Sequence, residues 1–364
     1  MKVCHVVRRY GPVGGMESYV FYLTRALADL QIDIVILCEE DLSAADHPHN
    51  LKVHAIGVAP MRRPRWKAMQ WFRDQVQTAL IDLKNDGYLI HSHERIRGHH
   101  ITTQHGPLMS GRVSNFMAMF SRRVRNWLIF EKEELDRVIV LPVSDLIGRS
   151  ISSEYPESLI GPTVWPAMGN GVSRDGDVDD LSKRNDHILF VGRDFKRKGL
   201  DAAIKIVDVL RRQSPDTELH VFGVSVGEVP AHMRRTFVIY HGWIREIPYH
   251  NYKVLIHPAK IEPYGMCIAE ALSANVLCLV SKNTGALGLK NLFPDLPLYD
   301  LDLPQRLTEK YLDSLSRLLL SKLVSQPAIH GLPENIPWSW KTLAQCHLDQ
   351  IYPVGNHQNS GLLK

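Results

Sequence analysis

Residues 1–38 read MKVCHVVRRYGPVGGMESYVFYLTRALADLQIDIVILC. Lys2–Val7 is a short apolar run of strand character, and Gly11-Pro12-Val13-Gly14-Gly15 is a turn built from the residues that interrupt regular structure. Beyond it Met16, Val20, Leu23, Leu27 and Leu30 recur at spacings of three and four, the period of a helix with one apolar face. Ile32–Cys38 returns to a continuous apolar and β-branched run, as expected of a strand buried on both faces. Strand, helix and strand in this order make a crossover unit, so the sheet is expected to be parallel.

The alternation continues down the chain. Trp66–Lys84 is expected to be helical, Tyr88–His93 and Ile101–His105 to be strands, Val113–Asp136 helical and Arg137–Ser144 a strand. Ser173–Asp186 is polar and rich in Asp, the composition of a linker. A second series follows: strand His187–Gly192, helix Leu200–Gln213, strands Glu218–Val224, Val238–Trp243 and Val254–Pro258, helix Gly265–Ala274, and Val276–Ser281 as the last clear strand. A helical tail is expected over Leu303–Tyr352. The reading is α/β, with two Rossmann-like doubly wound parallel-sheet domains over residues 1–172 and 187–335, a linker at 173–186 and a C-terminal segment at 336–364.

Composition agrees with two packed cores, because 364 residues with 45% apolar content exceed what one core usually supports. The five cysteines (Cys4, Cys38, Cys267, Cys278 and Cys346) are scattered and form no Cys-x-x-Cys pair, which favours a reduced protein. Arg8 and Arg9 interrupt the first apolar run before a signal peptide would be complete, and no run approaches the roughly 20 apolar residues that span a bilayer. A cytoplasmic location is expected. The net charge of +4 is unevenly spread, since Met61–Arg125 carries twelve Lys or Arg against four Asp or Glu. An anionic partner or an ordinary solvated face both account for that excess.

Ligands of parallel α/β sheets bind at the carboxyl ends of the strands, so the residues just after each strand carry the functional argument. After His187–Val191 comes Gly192-Arg193-Asp194-Phe195-Lys196-Arg197-Lys198-Gly199, a cationic turn leading into a helix, from which Arg193 and Lys198 can reach a diphosphate. The plainer alternative is a solvated basic turn. After His257-Pro258 comes Ile261-Glu262-Pro263-Tyr264-Gly265-Met266-Cys267-Ile268-Ala269-Glu270, where Gly265 opens a helix whose first amides suit a phosphate. Glu270 falls within that helix, and an unpaired buried carboxylate is costly, so a sugar or ribose hydroxyl is a sensible partner.

The pattern Gly-Arg-x4-Lys-Gly followed by Glu-x-Tyr-Gly-x4-Glu resembles the retaining GT-B glycosyltransferases of family four, also called group 1, whose Glu-x7-Glu signature matches Glu262 and Glu270. Gly14-Gly15-Met16-Glu17 resembles the family's Gly-Gly-x-Glu loop, Thr103-Gln104-His105-Gly106 its His-Gly motif, and Asn170-Gly171-Val172 the Asn-Gly-Val before its linker. The similarity runs over about residues 1–285, and Trp338–Tyr352 resembles the closing helical segment that packs back on the first domain.

What the resemblance implies is a GT-B fold with its two domains facing a cleft, a nucleotide-sugar donor and a glycan or glycolipid acceptor. Arg193 and Lys198 would neutralise the departing diphosphate in place of a metal, so no cofactor is expected. Glu270 would hold the ribose, and Glu262 with the amides of Tyr264, Gly265 and Met266 the hydroxyls of the transferred sugar. His105 would lie near sugar and acceptor, while Gly14 and Gly15 would leave room for donor phosphate or acceptor. The chain departs from the pattern at Asn275-Val276-Leu277 and Lys282-Asn283-Thr284-Gly285-Ala286, where many members carry Gly-x-Pro and a Gly-Gly loop. In such enzymes the first domain is the acceptor side, and Arg62, Arg63, Arg65, Lys67, Arg122, Arg123 and Arg125 beside Trp66, Trp71, Phe120 and Trp127 suit anionic lipid head groups. A membrane-associated acceptor is therefore expected, with lipopolysaccharide core the leading example, against the plainer alternative of a soluble sugar and a solvated basic face; no role for nucleic acid is expected.

Other signals are weaker. Asp175–Asp180 has Asp-x-Asp spacing but lies in the polar linker without a preceding strand. His91, His93, His99 and His100 lack the spacing of a helical zinc motif and read as a strand end lining the cleft. Gly11-x-x-Gly-Gly lacks the full dinucleotide fingerprint, which leaves a nicotinamide-dependent oxidoreductase as the runner-up and a non-catalytic carbohydrate- or nucleic-acid-binding protein as a third reading.

Overall fold

A computed structural model of the protein describes residues 1–44, 46–61, 63–112, 121–167, 184–304, 307–324 and 339–355. The chain divides into two compact units, residues 1–167 with 337–364, and residues 168–336.

The first unit runs β1 (Lys2–Val6), β2 (Arg9–Tyr10), α1 (Gly15–Asp29), β3 (Asp33–Cys38), β4 (Glu40–Asp41), β5 (Leu51–Ala55), α2 (Arg65–Asn85), β6 (Leu89–Ser92), β7 (Ile101–Gln104), α3 (Arg122–Leu135), β8 (Ile139–Pro142), α4 (Asp145–Glu154) and β9 (Leu159–Ile160). Seven of these strands form one parallel sheet in the order β5-β3-β1-β6-β7-β8-β9. Period-two alternation splits its side chains between two faces. Cys4, Val6 and Ile90 pack against Met69, Phe72, Val76 and Leu80 of α2. Val3, Val7, Leu89, Ile101 and Leu141 pack with Val20, Leu23 and Leu27 of α1.

The second unit runs β10 (Asn185–Val191), α5 (Phe195–Lys198), α6 (Leu200–Leu210), β11 (Leu219–Phe222), β12 (Val238–Gly242), β13 (Tyr252–His257), α7 (Met266–Ser273), β14 (Leu277–Ser281), α8 (Leu289–Leu292), β15 (Leu298–Leu301) and α9 (Glu309–Val324). Its sheet is parallel in the order β12-β11-β10-β13-β14-β15. Ile188, Phe190, Val221, Val254 and Leu279 bury against Ile206, Val207 and Leu210 of α6 and Leu315 and Leu319 of α9. The last helix, α10 (Trp340–Cys346), continues as a π-helical turn over His347–Ile351 and packs on α1, so the C-terminal segment closes the first unit.

The two parallel sheets with flanking helices confirm the α/β, doubly wound reading. Several details differ. Val276–Ser281 is not the last strand, because Leu298–Leu301 adds β15 at the sheet edge. Arg122–Leu135 is helical where a helix was expected from Val113, and residues 113–120 lie outside the described residues. So do Asn170-Gly171-Val172, Asp175–Asp180 and the linker up to Lys183; β10 begins at Asn185, within the stretch read as linker. Arg184, just before it, is buried and donates to the carbonyls of Tyr252, Ala274 and Asn275.

Candidate functional site

In the second unit the signature residues meet at the carboxyl ends of β10 and β13. Lys198 closes α5 and directs Nζ to Glu262 Oε2 at 3.0 Å. Arg197 donates from NH1 to the same oxygen at 3.1 Å and to the Ile261 carbonyl at 2.9 Å. His257, the last residue of β13, places Nε2 3.3 Å from that oxygen.

Glycines make this approach feasible. A Cβ on Gly192 would lie 2.1 Å from Lys198 Cδ, so the bare backbone after β10 is what the lysine stem crosses. Gly199, at φ +81°, brings the start of α6 against the Pro258 carbonyl, where a Cβ would lie 1.9 Å from the oxygen.

The electrostatics follow from this packing. Burial raises the Glu262 carboxyl, but Lys198, His257 and Arg197 outweigh it and hold the group well below the usual carboxylate range. Burial lowers the Lys198 ammonium, while Cys267 and Glu262 raise it and prevail. His257 is pushed down to about 4, first by burial and then by Lys198, and is therefore neutral near pH 7.

Glu262 is also fixed through its backbone. Its N–H donates to the Asn283 carbonyl, and its carbonyl accepts from Gly285 N–H. Tyr264 accepts likewise from Ala286 N–H, so the Lys282–Ala286 loop is strapped to the Glu262–Gly265 loop. Gly265 is left-handed at φ +101° and caps α7, its carbonyl accepting from Ile268 and Ala269 N–H, so that the amides of Met266, the first residue of the helix, and Cys267 are the ones without an intrahelical acceptor. Glu270, in the same helix, accepts a hydrogen bond from the Tyr249 hydroxyl at 2.7 Å, and burial raises its carboxyl. Arg193 is exposed, with no ion-pair partner among the described residues.

The remaining expected site residues belong to the first unit. Gly14 precedes α1, and the space a side chain would fill there is taken by the Glu17 carboxylate, which pairs with Arg9. Gly15 is the first residue of α1. His105 follows β7 and is half-buried. The histidines read as lining a strand end are instead interior: His91, His93 and His99 are all buried. The reason is the sheet period, because His91 and His93 share the face covered by α1 and the C-terminal segment.

Sequence reasoning missed Arg197, His257 and Tyr249. Arg197 stands in the same cationic run as Arg193, and only the cap geometry tells them apart: Asp194 accepts from Arg197 N–H and Nε, turning that guanidinium toward Glu262. Nor is the basic excess of 61–125 all surface. Buried Arg73 pairs with Glu133, and Arg95 with Glu131 and Glu134 of α3.

Comparison with known proteins identifies the family and the fold. Residues 177–289 match the family described as glycosyl transferases group 1, and residues 13–154 match glycosyltransferase family 4. Glycogen synthase of Mycobacterium tuberculosis is 24% identical over 343 residues, 79% of each chain. An uncharacterized 41.2 kDa protein in the cps region of Klebsiella pneumoniae is 31% identical over 119 residues, 28% of this chain and 32% of that one. The crystal structure of WaaG, a glycosyltransferase involved in lipopolysaccharide biosynthesis, superposes with a TM-score of 0.74 at 16% identity, covering 98% of both chains. That likeness establishes the GT-B fold.

Proposed function

Because the chain belongs to the glycosyltransferases, with a family 4 module followed by a group 1 module, we propose that it transfers a sugar from a nucleotide-diphosphate donor with retention of anomeric configuration and without a metal ion. The observation that carries the reading is the convergence of Lys198, Arg197 and Glu262 beside the α7 N-terminus.

Opening the anomeric bond develops negative charge on the departing diphosphate and positive charge on the sugar. Cations and helix amides held in place before the reaction stabilise that negative charge increasingly as the bond opens, which lowers the barrier. Lys198 and Arg193 supply this charge. Glu262 and the Tyr264–Met266 amides hold sugar hydroxyls, Glu270 holds the ribose, and Arg197 keeps Glu262 oriented. His105, with Gly14 and Gly15, serves the sugar and acceptor side.

The acceptor in this reading is a glycan or glycolipid of a surface polysaccharide, with lipopolysaccharide core as the leading case. Its support is a set of exposed basic residues at the starts of α2 and α3 around the half-buried Trp66, with Arg122 5.5 Å and Lys67 5.8 Å from its ring. No helix among the described residues is long and apolar enough to cross a membrane, so contact with anionic lipid would be peripheral.

A thermal-shift panel of UDP- and GDP-sugars tests the donor assignment, followed by NMR of the product anomer. Stabilisation by one nucleotide sugar and a product with the donor's anomeric configuration are expected. Protection by none of the panel, or an inverted product, overturns the reading.

A further inference from the structure

Five residues behind His105 form one continuous hydrogen-bonded chain inside the first unit. His105 Nε2 lies 3.0 Å from His93 Nδ1, and His93 Nε2 lies 3.0 Å from His5 Nδ1. His5 Nε2 meets the Tyr352 hydroxyl at 3.3 Å, that hydroxyl meets His91 Nδ1 at 3.4 Å, and His91 Nε2 meets Thr103 Oγ1 at 2.7 Å. His5, His91, His93, Thr103 and Tyr352 are all buried.

Both nitrogens of His5, His91 and His93 are thereby used, and a neutral imidazole has one N–H and one lone pair. With the Tyr352 hydroxyl donating to one of its two neighbours and accepting from the other, two arrangements satisfy every link. In one, each Nε2 carries the hydrogen and His105 Nδ1 is a bare acceptor. In the other, each Nδ1 carries it and His105 Nδ1 is a donor. Both are uncharged and hold the same number of protons.

We propose that Tyr352, His5, His91 and His93 are positioning residues that set the tautomer of His105, making the C-terminal segment the element that decides which hydrogen-bonding group the ring offers beyond β7. Among the described residues His105 Nδ1 has no partner, and its ring is held edge-on to Tyr19 at 4.9 Å between centroids. Burial pushes both His5 and His105 down to about 3, so the chain stays uncharged near neutral pH.

Neutrality matters if His105 stands near the reacting sugar, as the functional reading holds. An imidazolium there would oppose the positive charge that develops at the anomeric carbon, whereas a neutral ring of fixed tautomer can orient a hydroxyl without that penalty.

His5, His91 and His93 also fall within the reach of a single metal ion. Their hydrogen bonds argue against that use. His5 Nδ1 and His93 Nε2 already meet each other at 3.0 Å, and both His91 nitrogens meet hydroxyls, those of Tyr352 and Thr103, so a metal ion would have to displace hydrogen bonds the cluster already makes.

The test needs no substrate. In the full chain labelled with ¹⁵N-histidine, long-range ¹H–¹⁵N correlations at pH 7 report the tautomer of each ring, and His5, His93 and His105 are expected to share one neutral form. Tyr352→Phe cuts the chain between His5 and His91, and should redistribute the His105 tautomers while leaving His241 and His257 of the other unit unchanged. Thr103→Val replaces it if that variant does not fold. Unaltered His105 signals, or an imidazolium at His5 or His93, overturn the relay. So does one equivalent of Zn²⁺ shifting His5, His91 and His93 together, which would make the cluster a metal site. If the tautomer pattern is as expected but no nucleotide sugar of the thermal-shift panel protects the protein, the transferase reading alone is refuted.

Discussion

Lys198 and Glu262 form a largely buried ion pair, Nζ to Oε2 at 3.0 Å, drawn from the turn after β10 and the loop after β13. Removing Glu262 leaves the Lys198 charge buried without its carboxylate, which for buried pairs costs on the order of 3–5 kcal/mol, whereas Glu262 keeps Arg197 when Lys198 is removed and that loss is the smaller. Lys198→Met and Glu262→Gln should therefore each destabilise the second unit, and the double variant should lose less than the sum of the two. Denaturant unfolding of the four proteins measures the coupling; strict additivity would show that the pair contributes nothing. In transfer assays Lys198→Ala, Glu262→Ala, Glu270→Ala and Arg193→Ala should each lose at least about tenfold, near 1.4 kcal/mol of barrier. Full activity in Lys198→Ala would remove the diphosphate clamp.

Arg193 and Arg197 should separate by what they change. Arg197 binds the Ile261 carbonyl, Asp194 and Glu262, so Arg197→Ala is expected to lower both stability and turnover. Arg193 is exposed, and Arg193→Ala should reduce transfer with the melting temperature unchanged. Equal melting losses in both variants would contradict this division.

Much of the frame was legible because buried parallel strands are apolar runs and the helices between them keep a 3.6-residue period, as in Lys2–Cys38. Short elements escaped. Leu298–Leu301 and Leu51–Ala55 are brief strands, and α4 is a Ser-rich helix whose signal is largely its Ser144 cap. At the site, spacing identified Lys198, Glu262 and Glu270 as candidates, but which cation of the Arg193–Lys198 run turns inward depends on the Asp194 cap, a three-dimensional fact. His5 was unreadable for another reason. A polar residue in an apolar strand looks like an interruption until His91, His93 and Tyr352 are seen beside it.

The proposed metal independence rests on the reading that Lys198 and Arg193 neutralise the diphosphate in place of an ion. Transfer should survive excess EDTA. Loss on chelation with recovery on adding Mn²⁺ would reverse the assignment and return attention to Asp175–Asp180.

Stability should fall steeply in mild acid. His5 and His105 are pushed down to about 3, and His347 and His257 to about 4, each by burial first. Their unfolded values lie near 6.5, so below that pH the unfolded chain binds protons the native state refuses. Native stability is thus fully retained above about pH 6.5 and lost as pH drops toward 4, each histidine adding up to about 1.4 kcal/mol per pH unit to the slope. Urea midpoints at pH 7.5, 6 and 5 read this directly, and a flat profile would mean that these rings are accessible and charged in the native state.

The surface proposed to meet anionic lipid is defined by which cations remain outside. Arg73 and Arg95 are committed to glutamates of α3, and Arg97 lies 3.9 Å from Glu133. Arg63, Arg65 and Lys67 near the start of α2, and Arg122, Arg123 and Arg125 at the start of α3, stay exposed. Arg62 and Phe120, read from sequence as part of the same surface, lie outside the described residues. The two helix starts adjoin through Arg122 and Lys67 on Trp66, with Trp71 and Trp127 half-buried nearby in sequence. Each basic residue near an anionic surface contributes about 1 kcal/mol, so three charge reversals among these should abolish binding of a few kcal/mol. Co-sedimentation with phosphatidylglycerol vesicles is expected at low salt and to weaken as screening shortens the range of the field. Neutral vesicles should not bind, nor should the Arg122→Glu, Arg123→Glu, Arg125→Glu triple variant, whose ion pairs behind α3 are untouched. Equal failure with both vesicle types would leave a soluble acceptor and a merely solvated basic face.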